Sequence, residues 1–200
     1  MSKIKVTNIS QVERFNYLKS FRIDYINKVG VPKVWEVVSR QGLSRLESEI
    51  NEGVVYSDGA MIFATDSKHE QVVLLKEFRV SAGHYVYMLP AGLSDENESV
   101  EITSVREFKE ETGMDFQFVS KAPPRFASVG IINERVEIAF GYYSGEPSSG
   151  FQSDDEDAEV LIVNREMAKR ILEEEDVPIR TALLLENFFG LNPFINKKGC

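Results

Sequence analysis

Residues 92–114 read GLSDENESVEITSVREFKEETGM, and the rest of the chain is organised around them. The stretch opens on Gly92, closes on Gly113 and Met114, and carries seven carboxylates between them. Ser94, Asp95, Glu96 and Asn97 suit a loop. Asn97 or Ser99 can cap a helix, and Gly113 can stop it. At about 100° per residue, Glu107, Glu110 and Glu111 fall within a sector of roughly 100°. Ile102, Val105 and Thr112 fall nearly opposite, flanked by Phe108. One face is therefore expected to meet a core and the other to carry charge. The acidic face has no lysine to relieve it. Arg106 stands at its edge, where Glu98 can pair with it from the loop.

Crowded carboxylates repel one another unless a cation joins them. Oxygen ligands without cysteine or histidine suit Mg²⁺ or Mn²⁺, and such ions commonly work on phosphate. On charge pattern alone, a solvated acidic helix would be the commoner explanation. The spacing changes that. Gly92, five residues, Glu98, seven residues, then Arg106, Glu107, Phe108, Glu110, Glu111, Gly113 and Met114 match the Nudix box G-x5-E-x7-R-E-U-x-E-E-x-G-U, with U a bulky apolar residue. The sequence thus resembles the Nudix hydrolases, which cleave nucleoside diphosphates linked to another moiety. That resemblance implies an α/β fold, an α/β/α sandwich around a mixed sheet. It also implies metal ligands at Glu107 and Glu111, with the Ala91 carbonyl as a further ligand and Glu110 assisting.

Bulk properties bound the remaining possibilities. Two hundred residues with 42% apolar content suit one domain with a real core and room for a small appendage. A net charge of −9 argues against nucleic acid or an anionic membrane surface as partner. No apolar run reaches the roughly 18 residues of a membrane span, and the N-terminus lacks the apolar core of a signal peptide. The single cysteine, Cys200, cannot form a disulfide framework, which points to a reducing, cytoplasmic setting.

Ahead of the main domain, residues 1–45 read as an N-terminal β segment and 46–200 as the catalytic domain. Residues 15–25 and 31–38 are expected to form a hairpin turned at 27–30. Trp35 lies in the second strand, and on its own a tryptophan there is more often core than ligand platform. However, Trp35, Glu36, Val38 and Arg40 form W-E-x-V-x-R, which resembles the ADP-ribose and ADP-sugar pyrophosphatase branch of the Nudix hydrolases. The resemblance implies an N-terminal segment that helps form a homodimer. It also implies that Trp35 stacks on the base, with Glu36 nearby and Arg40 on the diphosphate. A flat ring suits a base, and a guanidinium suits bidentate contact with phosphate.

Downstream, residues 41–53 read as a loop or short helical turn. Residues 60–64 and 72–75 read as strands, the second buried on both faces. Arg79 follows as a phosphate-binding candidate; in isolation it would be a surface ion-pair residue. Residues 85–89 form a strand that delivers Pro90, Ala91 and Gly92. Met88 stands where the branch usually has glutamate. Residues 115–119 and 136–143 read as strands. Glu134, just before the latter, matches a substrate-binding glutamate of the branch, although Val129 replaces the usual proline. His69 and His84 have no partner at ligand spacing and read as surface or loop residues.

Residues 144–153 form a loop by composition, leading into the acids 154–157. An acidic loop entering the strand 160–163 resembles the one that carries the catalytic base, with Glu156 or Asp154 in that role. Helices are expected at 165–174, capped by Asn164, and at 179–189, with Leu183, Leu184 and Phe188 inward. No chemistry is assigned to either helix.

The expected activity is Mg²⁺-dependent (or Mn²⁺-dependent) hydrolysis of ADP-ribose or an ADP-sugar to AMP and a sugar phosphate. The alternatives are another nucleoside diphosphate sugar, such as GDP-mannose, or a nucleotide-binding regulatory domain without hydrolysis.

Overall fold

The computed structural model describes residues 15–148, 150, 152 and 157–192. The described chain enters on a hairpin of β1 (Lys19–Ile26) and β2 (Pro32–Ser39). Asn27 closes its turn, its side-chain oxygen accepting the N–H groups of Val29 and Val31, and Gly30 takes a φ of 82° that few other residues tolerate. Next comes α1 (Leu43–Asn51), then β3 (Gly59–Thr65), β4 (Gln71–Arg79), β5 (His84–Met88) and β6 (Ala91–Leu93). Helix α2 (Val100–Thr112) follows, with β7 (Asp115–Lys121), β8 (Arg125–Ser128), β9 (Ile132–Ser144) and β10 (Ala158–Asn164). Two helices, α3 (Arg165–Glu174) and α4 (Ile179–Phe188), complete it.

The strands form one mixed sheet in the order β1-β2-β9-β3-β4-β10, with β5 on β4, β6 on β3, and β7 and β8 on β9. The β3–β9 pair is parallel from Gly59↔Val136 to Thr65↔Tyr142. Strands β4 and β10 pair antiparallel. Every residue of β3 is buried, as are Val72 to Leu75 in β4, because helices cover both faces. The two-residue period sorts the side chains between two cores. Met61, Phe63, Val72 and Leu74 pack with Ala168, Ile171 and Leu185 of α3 and α4. Ala60, Ile62, Ala64 and Val73 pack with Val100 and Phe108 of α2. This is the expected α/β/α sandwich. No helix of the described residues is long and apolar enough to cross a membrane.

Several local expectations are corrected. Residues 43–51 make a nine-residue helix, longer than the loop or short helical turn expected for 41–53. A tertiary ion pair and a hydrogen bond hold it: Arg45 meets Asp58 at 2.7 Å, and Asn133 donates to Glu49 at 2.6 Å. Strand β9 starts earlier than expected, and β8, unforeseen, pairs with that early part. Of the two candidate caps Ser99 serves, accepting the Ile102 N–H, while Asn97 takes a left-handed turn conformation.

The core face of α2 is also rotated from its expected position. Val100, Thr103, Ser104, Phe108 and Thr112 are buried, whereas Ile102 and Val105 are exposed. Small Thr103 and Ser104 let the helix lie close to the sheet, and that closeness outweighs the bulk of the two aliphatics. In α4, likewise, Thr181 and Leu185 are buried and Leu183 is exposed.

Candidate functional site

The rotation of α2 sets up the site. Glu107 and Glu111, one turn apart, belong to the stripe that faces the sheet edge rather than the one that faces solvent. The Glu107 side chain is 16% exposed, against 51% for Glu110. Strand β6 meets them there, held on β3 by the register Ala60↔Gly92 and Met61↔Ala91. The Ala91 N–H donates to Glu111 Oε2 at 3.0 Å. The Glu107 carboxylate lies so close to Gly92 that any side chain on Gly92 would overlap it. Two carboxylates thus converge on two consecutive loop residues.

Arg106 ties the loop to the helix. Its Nε and Nη2 donate to Glu98 at 3.0 and 2.8 Å, and Nη2 also reaches the Leu93 carbonyl at 3.1 Å. Its Nη1 donates to Glu107 at 2.8 Å and to Glu110 at 3.2 Å. This one guanidinium therefore offsets the acidic face. Hydrogen bonds from Arg106, and then from the Asp95 N–H and the Thr103 hydroxyl, hold the Glu98 carboxyl down at about 2. Glu98 in turn pushes the Arg106 guanidinium further up from its ordinary range.

Among the described residues no three Asp, Glu, His or Cys side chains form a cage for an ion by themselves. Glu107, Glu111 and the adjoining main-chain carbonyl of Ala91 are hard oxygen donors. They are few, which suits an ion that also takes water and phosphate oxygens, as Mg²⁺ does.

Beside this loop lies a cavity of about 260 Å³. Ala91, Gly92 and Leu93 form one wall; Arg40, Glu134, Arg79 and Met88 line others. Arg40 Nε donates to Glu134 Oε1 at 2.5 Å, and Arg79 Nη1 to Glu77 Oε1 at 2.6 Å. A second cavity, of about 230 Å³, lies under α4 among Phe63, Val119, Phe140 and Phe188. It has no carboxylate or guanidinium in its lining and offers nothing to a diphosphate.

The residues singled out from sequence are thus partly gathered. Arg40, Arg79, Ala91 and Glu134 share the cavity, and Glu107 and Glu111 back its loop wall. Trp35 is half-exposed on β2 and lines none of the cavities described, while Glu36 lines a separate shallow one with Arg22 and Gly130. Asp154 and Glu156 lie outside the described residues. Asp157, at the end of their segment, accepts from the Tyr85 hydroxyl at 2.8 Å and, through its carbonyl, from the Phe78 N–H at 2.9 Å. That holds Asp157 beside Phe78, one residue from Arg79 in sequence. Sequence reasoning missed Arg180, which the N-terminal turn of α4 adds to the cavity wall. No local pattern marks it, since its place depends on how α4 returns over β5.

A NUDIX domain family model matches residues 55–183. An ADP-sugar pyrophosphatase of Mus musculus is 26% identical over 128 residues, 64% of this chain and 56% of that protein. An ADP-ribose pyrophosphatase of Escherichia coli is 30% identical over 123 residues, 58% of this chain and 59% of that protein. The chain therefore spans a little over half the length of these two curated relatives. A crystal structure of an ADP compounds hydrolase superimposes with a TM-score of 0.63 at 22% identity, covering 92% of this chain and 94% of that one. At that identity the likeness bears on the fold.

Proposed function

Because this chain belongs to the NUDIX domain family, we propose that it is a metal-dependent pyrophosphohydrolase that cleaves ADP-ribose or an ADP-sugar to AMP and a sugar phosphate. One observation carries the reading: Glu107 and Glu111 converge on Ala91 and Gly92 at the wall of a cavity that also holds Arg40, Arg79 and Glu134. The names of the two curated pyrophosphatase relatives support the substrate class.

Glu107, Glu111 and the Ala91 carbonyl would hold Mg²⁺ or Mn²⁺. When bound, the ion supplies charge neutralisation at the diphosphate and makes water a better nucleophile. Arg40 and Arg79 orient the diphosphate through their guanidinium groups. Glu134 keeps Arg40 turned into the cavity. Glu110, exposed beside the loop, assists at the acidic face. Glu156 or Asp154 takes the proton from the attacking water. Trp35 stacks on the base, with Glu36 beside it.

Homodimerisation belongs to the same reading. The hairpin joins β9 through the single register pair Val38↔Ile132. Tyr25, Ile26, Val29, Val34 and Trp35 of the hairpin are exposed, as are Val129 and Ile131 beside it. An apolar surface of that extent is suited to a second copy of the chain. In this division residues 1–45 serve assembly and base stacking, and 46–200 serve hydrolysis.

A second reading keeps the chemistry and changes the sugar nucleotide, for example to GDP-mannose. Met88 favours it, because it lines the cavity where a carboxylate is expected from the resemblance. The test offers ADP-ribose, ADP-glucose and GDP-mannose to the purified protein with excess Mg²⁺ and measures nucleoside monophosphate release, with Glu111→Gln alongside. AMP from ADP-ribose, reduced on the order of 100-fold or more in the variant, is the expected result. Turnover of GDP-mannose alone would overturn the base assignment. Binding without turnover of any would leave a regulatory nucleotide-binding domain.

A further inference from the structure

Arg180 stands in the first turn of α4 and lines the same cavity as Arg40 and Arg79. The other two arginines already face carboxylates, Glu134 and Glu77 respectively. The Arg180 side chain has no hydrogen bond or ion pair with any of the described residues. The same cavity is lined by Met88, Leu89 and Pro178, whose side chains offer no acceptor, and by one carboxylate, Glu134, which Arg40 already engages. The neighbouring Thr181 hydroxyl is buried and faces the Leu89 N–H at 3.4 Å. A ligand that covers Arg180 must either supply an oxyanion or strip water from an unmatched charge, which is costly.

The sheet order says which end of a ligand meets it. Across the sheet the cavity passes from Arg40 after β2, to Glu134 on β9, to Ala60 and Met61 on β3, to Arg79 at the end of β4. Strand β5 lies beyond, and its Tyr87 N–H donates to the Asp176 carbonyl, pinning the start of α4 at that far side. From β2 to β4 is three strand spacings, about 14 Å, comparable with a diphosphate and one sugar. A base at the β2 end of the cavity, the strand that carries Trp35, would place the diphosphate over the Ala91–Leu93 wall and the leaving moiety against β5 and α4.

We propose that Arg180 contacts the leaving moiety and selects one that carries a further anionic oxygen group, such as a phosphate ester, remote from the nucleoside. This rests on the hydrolase reading above and deepens it. The diphosphate is served by Arg40, Arg79 and the acidic-loop ion site, so a third guanidinium, without a partner among the described residues, calls for a third anion.

The test compares ADP-ribose, ADP-ribose 1″-phosphate (extra phosphate on the leaving side) and ADP-ribose 2′-phosphate (extra phosphate on the nucleoside side). Wild type, Arg180→Gln and Arg180→Lys are measured with Mg²⁺. Wild type is expected to prefer the 1″-phosphate over ADP-ribose by about 10- to 100-fold in kcat/KM, as a charge-assisted contact allows. It should gain nothing from the 2′-phosphate. Arg180→Gln should remove the preference and Arg180→Lys should restore part of it. Because the side chain is exposed, melting temperatures should agree within about 2 °C. A preference that survives Arg180→Gln, or an equal fall for ADP-ribose and its 1″-phosphate, overturns the proposal. If wild type cleaves none of the three, the hydrolase reading fails, and calorimetric binding of the same compounds decides this one. Tighter 1″-phosphate binding that is lost in Arg180→Gln supports it, and equal binding overturns it.

Discussion

A methyl group on Gly92 would stand where the Glu107 carboxylate now lies. The obstacle is the end of a flexible side chain rather than backbone, so Gly92→Ala should spare the fold and displace the carboxylate. The expected outcome is a melting temperature near wild type with metal-dependent turnover reduced by about tenfold or more. A large loss of stability would instead show that Gly92 serves backbone packing. Glu98 offers a second test at this scale. Its carboxyl is lowered from an ordinary value near 4.5 to about 2 by Arg106. A depressed carboxylate contributes stability above its unfolded value and loses it as pH falls through the folded one. Wild type should therefore melt above Glu98→Gln at pH 6. The gap should close between about pH 4.5 and 2; a gap that is constant with pH would mean the ion pair is not its source. These residues were legible because loop length and helix period place them, and both are local quantities.

At the scale of the element, α2 was legible in extent but not in orientation. Burial follows Val100, Thr103, Ser104, Phe108 and Thr112, and the two aliphatics Ile102 and Val105 are left outside. Phe108→Ala, at a fully buried position, should cost about 3–5 kcal/mol, read from denaturant unfolding. Ile102→Ala and Val105→Ala should each cost well under 1 kcal/mol, as exposed positions do. The reverse ranking would restore the face expected from sequence. Helix α1 was illegible for a related reason. Only Leu46 is buried, so its apolar period is faint. What holds it are polar partners on distant segments, the Asp58 carboxylate and the Asn133 amide. The second hairpin strand, β3, α3 and α4 were read near their true bounds because turn residues and caps, such as Asn164 on the Met167 N–H, punctuate them, whereas β4 runs on to Arg79 and β1 starts only at Lys19.

For the whole molecule, the exposed face of the hairpin bears on assembly. In the hairpin register Ile23 opposes Trp35 and Tyr25 opposes Lys33, so Tyr25 and Trp35 share a face with the buried Val37. That face runs from the core out into solvent. Sedimentation should show a dimer, and Tyr25→Asp should shift it to monomer. A monomeric wild type would remove the assembly role proposed for the N-terminal segment.

The chain's own order of residues determined the acidic loop and helix, and through them the family and the layered fold. Glycine, glutamate and arginine recur there at spacings that one loop and one helix convert directly into proximity. Only the tertiary structure decided which side of that helix is buried, that Arg40 meets Glu134 across 94 positions, and that α4 adds Arg180 to the cavity. Those meetings depend on sheet register and on helices returning over strands far away in sequence. Such pairings are settled by packing among many segments at once, and no single segment's pattern encodes them.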